Sequence, residues 1–401
     1  MLKPDFEKKS NLFDLTIISN LNVADGIGRQ GLGLLSCLKE DLSINTLIIP
    51  PAQYKDVQKD LLSIVAKPFS GQYGKISFWT YILGLNENLV SLHSSLKSEI
   101  KIAYSMFESD AIPKFWTRIL NDHYDLVCVP DEYLVEVYKS SGVKIPIFVL
   151  PLGIWLEPFV NSEQIQRPRK PFTFGISAGF YERKNHLKVL TAFKNEFGNN
   201  PEFKLKLHGR FGPIKSKIES EVSRLKLNNV ELISKPFSQQ EYLEWFQSID
   251  CYVYPSMGEA FSITPREALS LGIPTIISSN SVHKTICNSG FVKSIPARKK
   301  VPAIYELFGG QVGNCFDIDL VDLQKAMVDI SKPEAYLDWI EAVKSAKNWT
   351  NQYLWSELKP FYLSLIKPKL ILKSNKNSIN KNSIEIEDKK LYEKYCKAFG
   401  G

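Results

Sequence analysis

Two glutamates eight residues apart, Glu259 and Glu267, stand in the segment of the chain that is richest in candidate chemistry. A strand is predicted to end at Tyr254, a loop then carries Glu259, and a helix begins near Pro265 with Glu267 in its first turn. Loops at the carboxyl ends of parallel strands are where open α/β sheets bind their ligands. Both carboxylates can therefore point into one crevice.

The same segment also has a purely structural interpretation. Thr264, Pro265 and Glu267 form a good capping box, in which Glu267 only accepts a hydrogen bond from a backbone N–H. The two interpretations share one consequence, because the free backbone amides beside the helix start make a seat for an anion. These amides belong to Phe261, Ser262 and Ile263.

A second candidate is the sequence from Gly26 to Gly31, a literal GxGxxG with Gly28 at its centre, between a predicted strand and a helix. This pattern is typical of dinucleotide binding, where glycines let the backbone approach a diphosphate. A nicotinamide or flavin site also needs an acid at the end of the second strand, and residues 47–51 contain none. The sequence favours a glycine turn that passes close to a ligand or to another domain.

Arg183 and Lys184 precede a helix predicted from His186. Cations are unfavourable at that end of a helix, because the helix dipole is positive there. Their placement therefore indicates compensation by an anion, and we predict phosphate contact. Glu108 is a further acid for which a functional and a structural role are equally open.

The elements that position these residues alternate as strand and helix in two halves. Strands are predicted at Leu15–Ser19, 45–49, Ile100–Tyr104, Leu126–Val129 and 147–150, with helices at 31–38 and Glu132–Ser140. After a proline-interrupted linker at 161–171 the alternation restarts, with strands at Phe172–Ser177, Phe203–His208, Val230–Ile233, Cys251–Tyr254 and 274–277 and helices at 186–197, 215–226 and Gln239–Gln247. Two such runs of strand and helix predict two doubly wound domains facing each other.

The predicted domains are residues 1–160 and 161–345, followed by a closing helical segment at 346–366 and a tail at 367–401. The tail carries nine Lys and four acids, while the remaining chain is nearly neutral with 41 basic and 39 acidic residues. A nucleic-acid-binding protein would normally carry its charge on the folded body, so that class is disfavoured. Residues 373–383 are low in complexity and predicted to be a solvated linker, whereas 389–399 could form a basic amphipathic helix that touches a membrane surface.

Six scattered Cys without a CxxC pair argue against zinc or disulfides and favour a reducing compartment. The first fourteen residues are charged and contain no signal peptide, and no apolar run reaches eighteen residues. We therefore expect a cytoplasmic protein, with peripheral membrane contact through the tail as its only membrane association.

The Glu-x7-Glu loop, followed by a helix, Gly272-Ile-Pro274 and a strand, resembles the donor site of the retaining GT-B glycosyltransferases of family 4 (group 1). The rest of the chain agrees in order over residues 12–366. Supporting positions are the glycine turn at 26–28, the end of the first domain at 149–153, the basic segment at 183–185, and Trp349. Residues 108–116 are also similar to a stretch found in a bacterial subset of these enzymes.

The resemblance implies a GT-B fold and a role for each matching residue. It implies that Glu259 lies by the donor sugar and Glu267 holds the ribose hydroxyls, with the amides of 261–263 under the distal phosphate. The family usually has an Arg where this chain has Gly179, so either Arg183 or Arg210 would supply the second charge beside Lys184. Glu108 occupies about the place of the family's usual His in the sugar pocket.

The function that follows is transfer of a sugar from a UDP- or GDP-linked donor to an acceptor hydroxyl, with retention and without a metal or cofactor. The acceptor would be a glycan, a lipid-linked glycan or a protein, in glycan or polysaccharide assembly, with Glu108, Arg183, Lys184 and Glu259 as the catalytic set. One alternative is a nucleotide-sugar- or glycan-binding module of the same fold that lacks catalysis. A more distant one is an NAD-dependent oxidoreductase at Gly26–Gly31.

Overall fold

The computed structural model describes residues 12–22, 26–49, 57–84, 87–162 and 170–372. The first half of the chain forms a six-stranded, fully parallel sheet. Its strands are β1 Leu15–Ser19, β2 Ile44–Ile48, β3 Ile76–Trp79, β4 Ile100–Tyr104, β5 Leu126–Val129 and β6 Ile147–Val149, in the spatial order β2-β1-β3-β4-β5-β6. Apolar clusters cover both faces, so the strands are nearly continuous apolar runs.

The second half forms another six-stranded parallel sheet. Its strands are β7 Phe172–Ser177, β8 Phe203–His208, β9 Val230–Ile233, β10 Cys251–Tyr254, β11 Thr275–Ser279 and β12 Lys293–Pro296, in the order β12-β11-β10-β7-β8-β9. The strand order reverses between β7 and β10, and ligands bind at such a switch point in open α/β sheets. The prediction of two doubly wound domains is confirmed.

The helices lie between the strands and pack on both sheet faces. In the first domain they are α1 Gly26–Leu38, α2 Lys59–Val65, α3 Glu87–Ser95, α4 Lys114–His123, α5 Glu132–Ser140 and α6 Glu157–Val160. In the second they are α7 His186–Glu196, α8 Lys215–Leu225, α9 Gln239–Gln247, α10 Ile263–Ser270, α11 His283–Asn288, α12 Leu320–Ser331 and α13 Pro333–Lys344. The chain closes with α14 Ala346–Asn351 and α15 Trp355–Leu372.

Helix α1 begins at Gly26, five residues before the predicted start at residue 31, so the glycines lie in its first turns rather than in a preceding turn. The reason is close packing. A Cβ on Gly28 would overlap the backbone of Asn22, and one on Gly33 would overlap the ring of Trp355. Gly26, by contrast, has open space around it.

The closing segment is two helices rather than one. The helical conformation is interrupted between α14 and α15, where the Ile154 backbone amide donates to the Tyr353 carbonyl. Trp355 and Tyr362 of α15 pack into the core of the first domain, so the end of the described chain returns to that domain. Helix α15 runs through residue 372, into the segment predicted as tail, and residues 373–401 lie outside the described part.

Four strands have no counterpart among the sequence predictions: β3, β12 and the two strands of a hairpin. An antiparallel hairpin is formed by β13 Lys299–Tyr305 and β14 Gly310–Asp317, joined by a short 3-10 turn at Glu306–Phe308. The predicted strands end at 274–277, which is wrong, because β12, β13 and β14 follow. The strand β13 begins with two lysines and contains Pro302, and β14 contains two glycines, so neither segment shows the continuous apolar run or strict alternation that predicts a strand.

Candidate functional site

Arg183 and Lys184 follow β7, at the switch point of the second sheet. They lie in a single 3-10 turn, Glu182–Lys184, which ends at Asn185 with φ 62°. The Asn185 side-chain amide donates to the Pro255 carbonyl at 2.8 Å and to Asp317 at 2.9 Å. These bonds tie the turn to the loop after β10 and so hold both cations beside the predicted sugar-side acid.

That acid, Glu259, is buried and densely bonded. Its Oε1 atom accepts hydrogen bonds from Arg183 Nη1 at 2.9 Å, Tyr254 OH at 3.1 Å and Ser256 Oγ at 2.6 Å, and it also contacts Lys184 Nζ. Lys184 donates in addition to Tyr254 OH at 2.7 Å. The sequence predicted the charged residues of this cluster, but it did not identify Tyr254 and Ser256 as their hydrogen-bond partners.

The charges in this cluster shift one another's proton affinity. Burial alone would raise the pKa of Glu259, but the charges of Lys184 and Arg183 outweigh it and lower that pKa to about 2. Burial, together with the neighbouring Arg183 charge, lowers the pKa of Lys184 to about 8 against the pull of Glu259. The carboxylate is therefore firmly ionised, whereas the lysine is poised to lose its proton in mildly alkaline solution.

Glu108 approaches the same cluster from the first domain. Its Oε1 accepts a hydrogen bond from Arg183 Nη2 at 2.7 Å, so Arg183 bridges an acid of each domain. The backbone is equally close, because a Cβ on Gly258 would overlap the Glu108 carbonyl. The structure thus brings all four predicted catalytic residues into one network across the two domains.

The hairpin holds the Glu108 loop in place. The Asn314 backbone amide donates to Asp110 Oδ1 at 2.6 Å, and the Asp110 backbone amide donates to the Asn314 backbone carbonyl at 3.0 Å. Ser109 Oγ donates to the Val312 carbonyl at 2.7 Å. Beside these bonds the Phe308 ring packs on aromatic residues of the first domain, which are Phe107, Phe115 and Trp116.

Asp110→Ala is expected to lower turnover by about 10- to 100-fold, because small misplacement of a reacting group is costly and Glu108 lies two residues away. Nucleotide affinity should be retained. Asp110→Asn keeps an oxygen for the Asn314 amide and should retain most activity. Lys300→Ala removes only an exposed ion pair to Asp110, 3.1 Å long, and serves as the control. Steady-state kinetics would contradict the prediction if Asp110→Ala and Lys300→Ala behaved alike.

Glu267 is fully buried at the other end of the loop. Its Oε1 accepts from Arg29 Nη2 of the first domain at 3.3 Å, and its Oε2 accepts from Tyr242 OH at 2.8 Å. The capping-box interpretation is wrong. Helix α10 already begins at Ile263 and no side chain caps it. The carboxylate instead lies between the two domains.

The predicted anion seat includes a strained residue. Ser262 has φ 70° and precedes the first helical residue, Ile263, while the Phe261 side chain is buried in the core of the first domain. Beneath this turn lies Arg266, fully buried, whose Nη1 donates to the carbonyls of Phe261 and Ser262. Arg266 is not among the predicted site residues, and its position between Pro265 and Glu267 gives no sign in the sequence that it is buried.

The remaining predicted residues lie around these groups. Gly26 lines a crevice between the domains that it shares with Arg29, Gln30, Ile263 and Trp355. Arg210 follows β8, is exposed, and stands over the Phe211 ring. Gly28 supports the close packing of α1 described above. Which of these groups contact a ligand stays a prediction.

No group of three or more His, Cys, Asp or Glu side chains in the described residues is arranged to hold a metal ion. Metal-independent chemistry and the absence of a cofactor both stay predictions. No helix in the described ranges is both long and apolar enough to span a bilayer.

Solved structures of other proteins share the fold of this chain. Sucrose-phosphate synthase from Thermosynechococcus elongatus matches with a TM-score of 0.63 at 14% identity, covering 88% of this chain and 98% of that one. Anabaena HepE, solved in complex with UDP and glucose, matches with a TM-score of 0.63 at 9% identity, covering 89% and 100%. The chain has the GT-B fold, as predicted.

Part of the chain also matches a family model in sequence. Residues 160–305 match the family model described as Glycosyl transferases group 1, so the predicted resemblance to group 1 glycosyltransferases is confirmed over this stretch. The assignment to family 4 and the retaining mechanism stay predictions. A putative glycosyltransferase of Sulfolobus islandicus filamentous virus (isolate Iceland/Hveragerdi) is 23% identical over 232 residues, covering 57% of this chain and 62% of the relative. The chain spans less than two thirds of the length of the curated relatives it matches.

Proposed function

We propose that the chain is a retaining glycosyltransferase of hexosyltransferase type that uses a nucleoside diphosphate sugar. The observation that carries this proposal is the network of Lys184, Arg183, Glu259 and Glu108 at the switch point of the second sheet, facing the first domain. Cations at that place suit a diphosphate, and an acid from each domain suits a polar sugar between them.

Breaking the bond between the anomeric carbon and the phosphate oxygen leaves positive charge on the sugar and extra negative charge on the diphosphate. Arg183, Lys184 and the amides of 261–263 would stabilise that diphosphate without a metal. Each preorganised donor of this kind is worth about 3–4 kcal/mol. In the reaction that the resemblance implies, the acceptor hydroxyl attacks on the face that the phosphate leaves, and the phosphate takes its proton.

The donor base and the acceptor are proposed in broader terms. HepE was solved with UDP and glucose, which makes a UDP sugar the first donor to try, ahead of a GDP sugar. We propose a glycan, lipid-linked or protein acceptor, in glycan or polysaccharide assembly in the cytoplasm. Peripheral membrane contact is assigned to residues beyond 372, which lie outside the described part of the chain.

A binding module without catalysis is the second candidate, and one observation favours it. A Cβ on Gly179 would lie 3.0 Å from the Tyr181 ring, so this loop has no room for the Arg usual in the family unless Tyr181 moves. Arg183 and Lys184 are both engaged with Glu259, which leaves fewer cations for a diphosphate.

Release of free nucleotide separates the two candidates. The full-length protein is incubated with UDP-, GDP- and ADP-linked sugars, each with and without a mixed glycan acceptor. Acceptor-dependent release supports the transferase. Binding of a nucleotide sugar without any release supports the binding module. Binding of NADH, measured by its dihydronicotinamide fluorescence, would favour the oxidoreductase instead.

The ratio kcat/KM is expected to fall as the pH rises through about 8, because the pKa of Lys184 in the free protein is lowered from 10.5 to about 8 and the neutral amine no longer stabilises the diphosphate. Lys184→Arg should remove this decline, since arginine stays protonated. Loss of stability does not explain the decline. Between pH about 8 and 10.5 the unfolded chain binds more protons than the folded one, so this group alone makes unfolding free energy rise. A pH profile of kcat/KM that is flat to pH 10 would contradict the prediction.

A further inference from the structure

Ser262 occupies a backbone conformation that suits glycine. Its φ of 70° and ψ of 80° lie in the left-handed region, where a Cβ is unfavourable. Its hydroxyl does not cap helix α10, so local helix stability does not account for a serine here. Another contact must therefore account for the serine side chain.

That contact is His283, a fully buried residue at the start of α11. Ser262 Oγ lies 2.6 Å from His283 Nε2. The other ring nitrogen, Nδ1, lies 3.1 Å from the Ser278 carbonyl oxygen, which can only accept a hydrogen bond. The same nitrogen is 3.1 Å from Ser278 Oγ, whose own proton is donated to the Ser256 carbonyl. Nδ1 therefore carries the ring proton.

The tautomer determines what the serine can do. Burial lowers the pKa of His283 to about 4, so the ring is neutral at pH 7 and Nε2 is a bare acceptor. Ser262 must donate its only hydroxyl proton to Nε2. Its oxygen then has lone pairs left but no proton to offer, so toward a ligand Ser262 Oγ is an acceptor only.

An acceptor-only oxygen discriminates between the diphosphate of a nucleotide sugar and its hydroxyl-bearing groups, which are the ribose and the transferred sugar. Phosphate oxygens of a diphosphate are themselves acceptors, so the hydroxyl of Ser262 cannot bind them, although its backbone amide can. A sugar hydroxyl has a proton to donate. Ser262 lies three residues after Glu259 and directly before Ile263, which lines the crevice between the domains.

We propose that the Ser262–His283 pair recognises one hydroxyl group of the transferred sugar, with Ser262 as the specificity-determining residue and His283 as the residue that positions it. This inference rests on the proposed function and refines it. It assigns the sugar end of the donor to Ser262, separately from the ribose end at Glu267.

The test measures binding by calorimetry to the full chain, with UDP, GDP, UDP-glucose, UDP-N-acetylglucosamine and GDP-mannose. For the sugar that wild type binds most tightly, the monodeoxy analogues are then compared. Ser262→Gly should leave affinity for the nucleoside diphosphate unchanged and weaken that for the nucleotide sugar by about 3- to 10-fold, the net worth of one hydrogen bond. One monodeoxy analogue should bind wild type and Ser262→Gly equally.

Thermal unfolding checks the folding of this variant: glycine suits the backbone conformation, but loss of the hydroxyl leaves buried His283 Nε2 without its donor, so we expect a folded protein with a lower unfolding temperature and unchanged affinity for the nucleoside diphosphate. His283→Gln retains an acceptor oxygen and should preserve discrimination against that deoxy analogue, whereas His283→Phe should abolish it. A purely structural histidine would not produce this split.

Three results would overturn the inference. Unchanged nucleotide-sugar affinity in Ser262→Gly removes it while leaving the proposed function intact. Complete loss of turnover with unchanged affinity would place Ser262 in bond chemistry instead. Failure of wild type to bind any of the five probes would refute the proposed function itself.

Discussion

Lys184→Met is expected to lower turnover by about 100- to 1000-fold, the usual effect of removing one preorganised donor from a developing negative charge. Affinity for the intact nucleotide sugar should fall much less, because the lost interaction is strongest when the leaving group carries its full charge, as it does in the transition state and in free UDP or GDP. The readout is kcat and KM for the donor that wild type accepts, together with calorimetric affinity for that donor and for UDP or GDP.

The matched control is Lys188→Met. Lys188 lies one turn further along, in α7, and pairs with Asp317, while its Nζ also donates to the Ile318 carbonyl at 2.8 Å. Each substitution removes one partly buried lysine and leaves a carboxylate with other donors. Similar losses of stability with a loss of turnover only at Lys184 would support the assignment. Equal turnover in the two variants would refute it.

Glu267→Gln is expected to weaken UDP or GDP binding by about 10- to 100-fold, the worth of hydrogen bonds to a charged acceptor. The physical reason is that ribose hydroxyls donate to the carboxylate more strongly than to a neutral amide. Wild type should bind UDP more tightly than its 2′,3′-dideoxy analogue, and Glu267→Gln should lose that preference. Calorimetry with the two nucleotides provides the comparison.

Arg29→Ala separates the carboxylate from its interdomain ion pair. Arg29 is partly exposed and holds Glu267 Oε1 at 3.3 Å, which is the atom a ribose would compete for. Removing the arginine leaves the carboxylate, so nucleotide affinity should not weaken. If Arg29→Ala weakened binding as much as Glu267→Gln, the glutamate would act by joining the domains rather than by holding the ribose.

The strands that carry the site could be predicted because they are buried on both faces. Residues 15–19 and 251–254 are unbroken apolar or small segments bounded by loops, and both strands have the predicted bounds. Local rules failed where tertiary contacts outweighed them. The start of α1 moved to Gly26 because Gly28 and Gly33 permit close packing. The capping box failed because the Glu267 carboxylate found side-chain partners on other elements.

The sequence by itself therefore determined two doubly wound domains. It placed Glu259, Arg183 and Lys184 in segments that follow carboxyl strand ends and Glu267 in the helix after one of them, because strand periodicity and loop position are local properties. Only the tertiary structure decided which side chains meet. Arg183 reaches Glu108 across 75 residues of chain, and Arg29 reaches Glu267 across 238. Such pairs depend on how the domains pack and on the hairpin that holds the Glu108 loop, which no short window of sequence encodes.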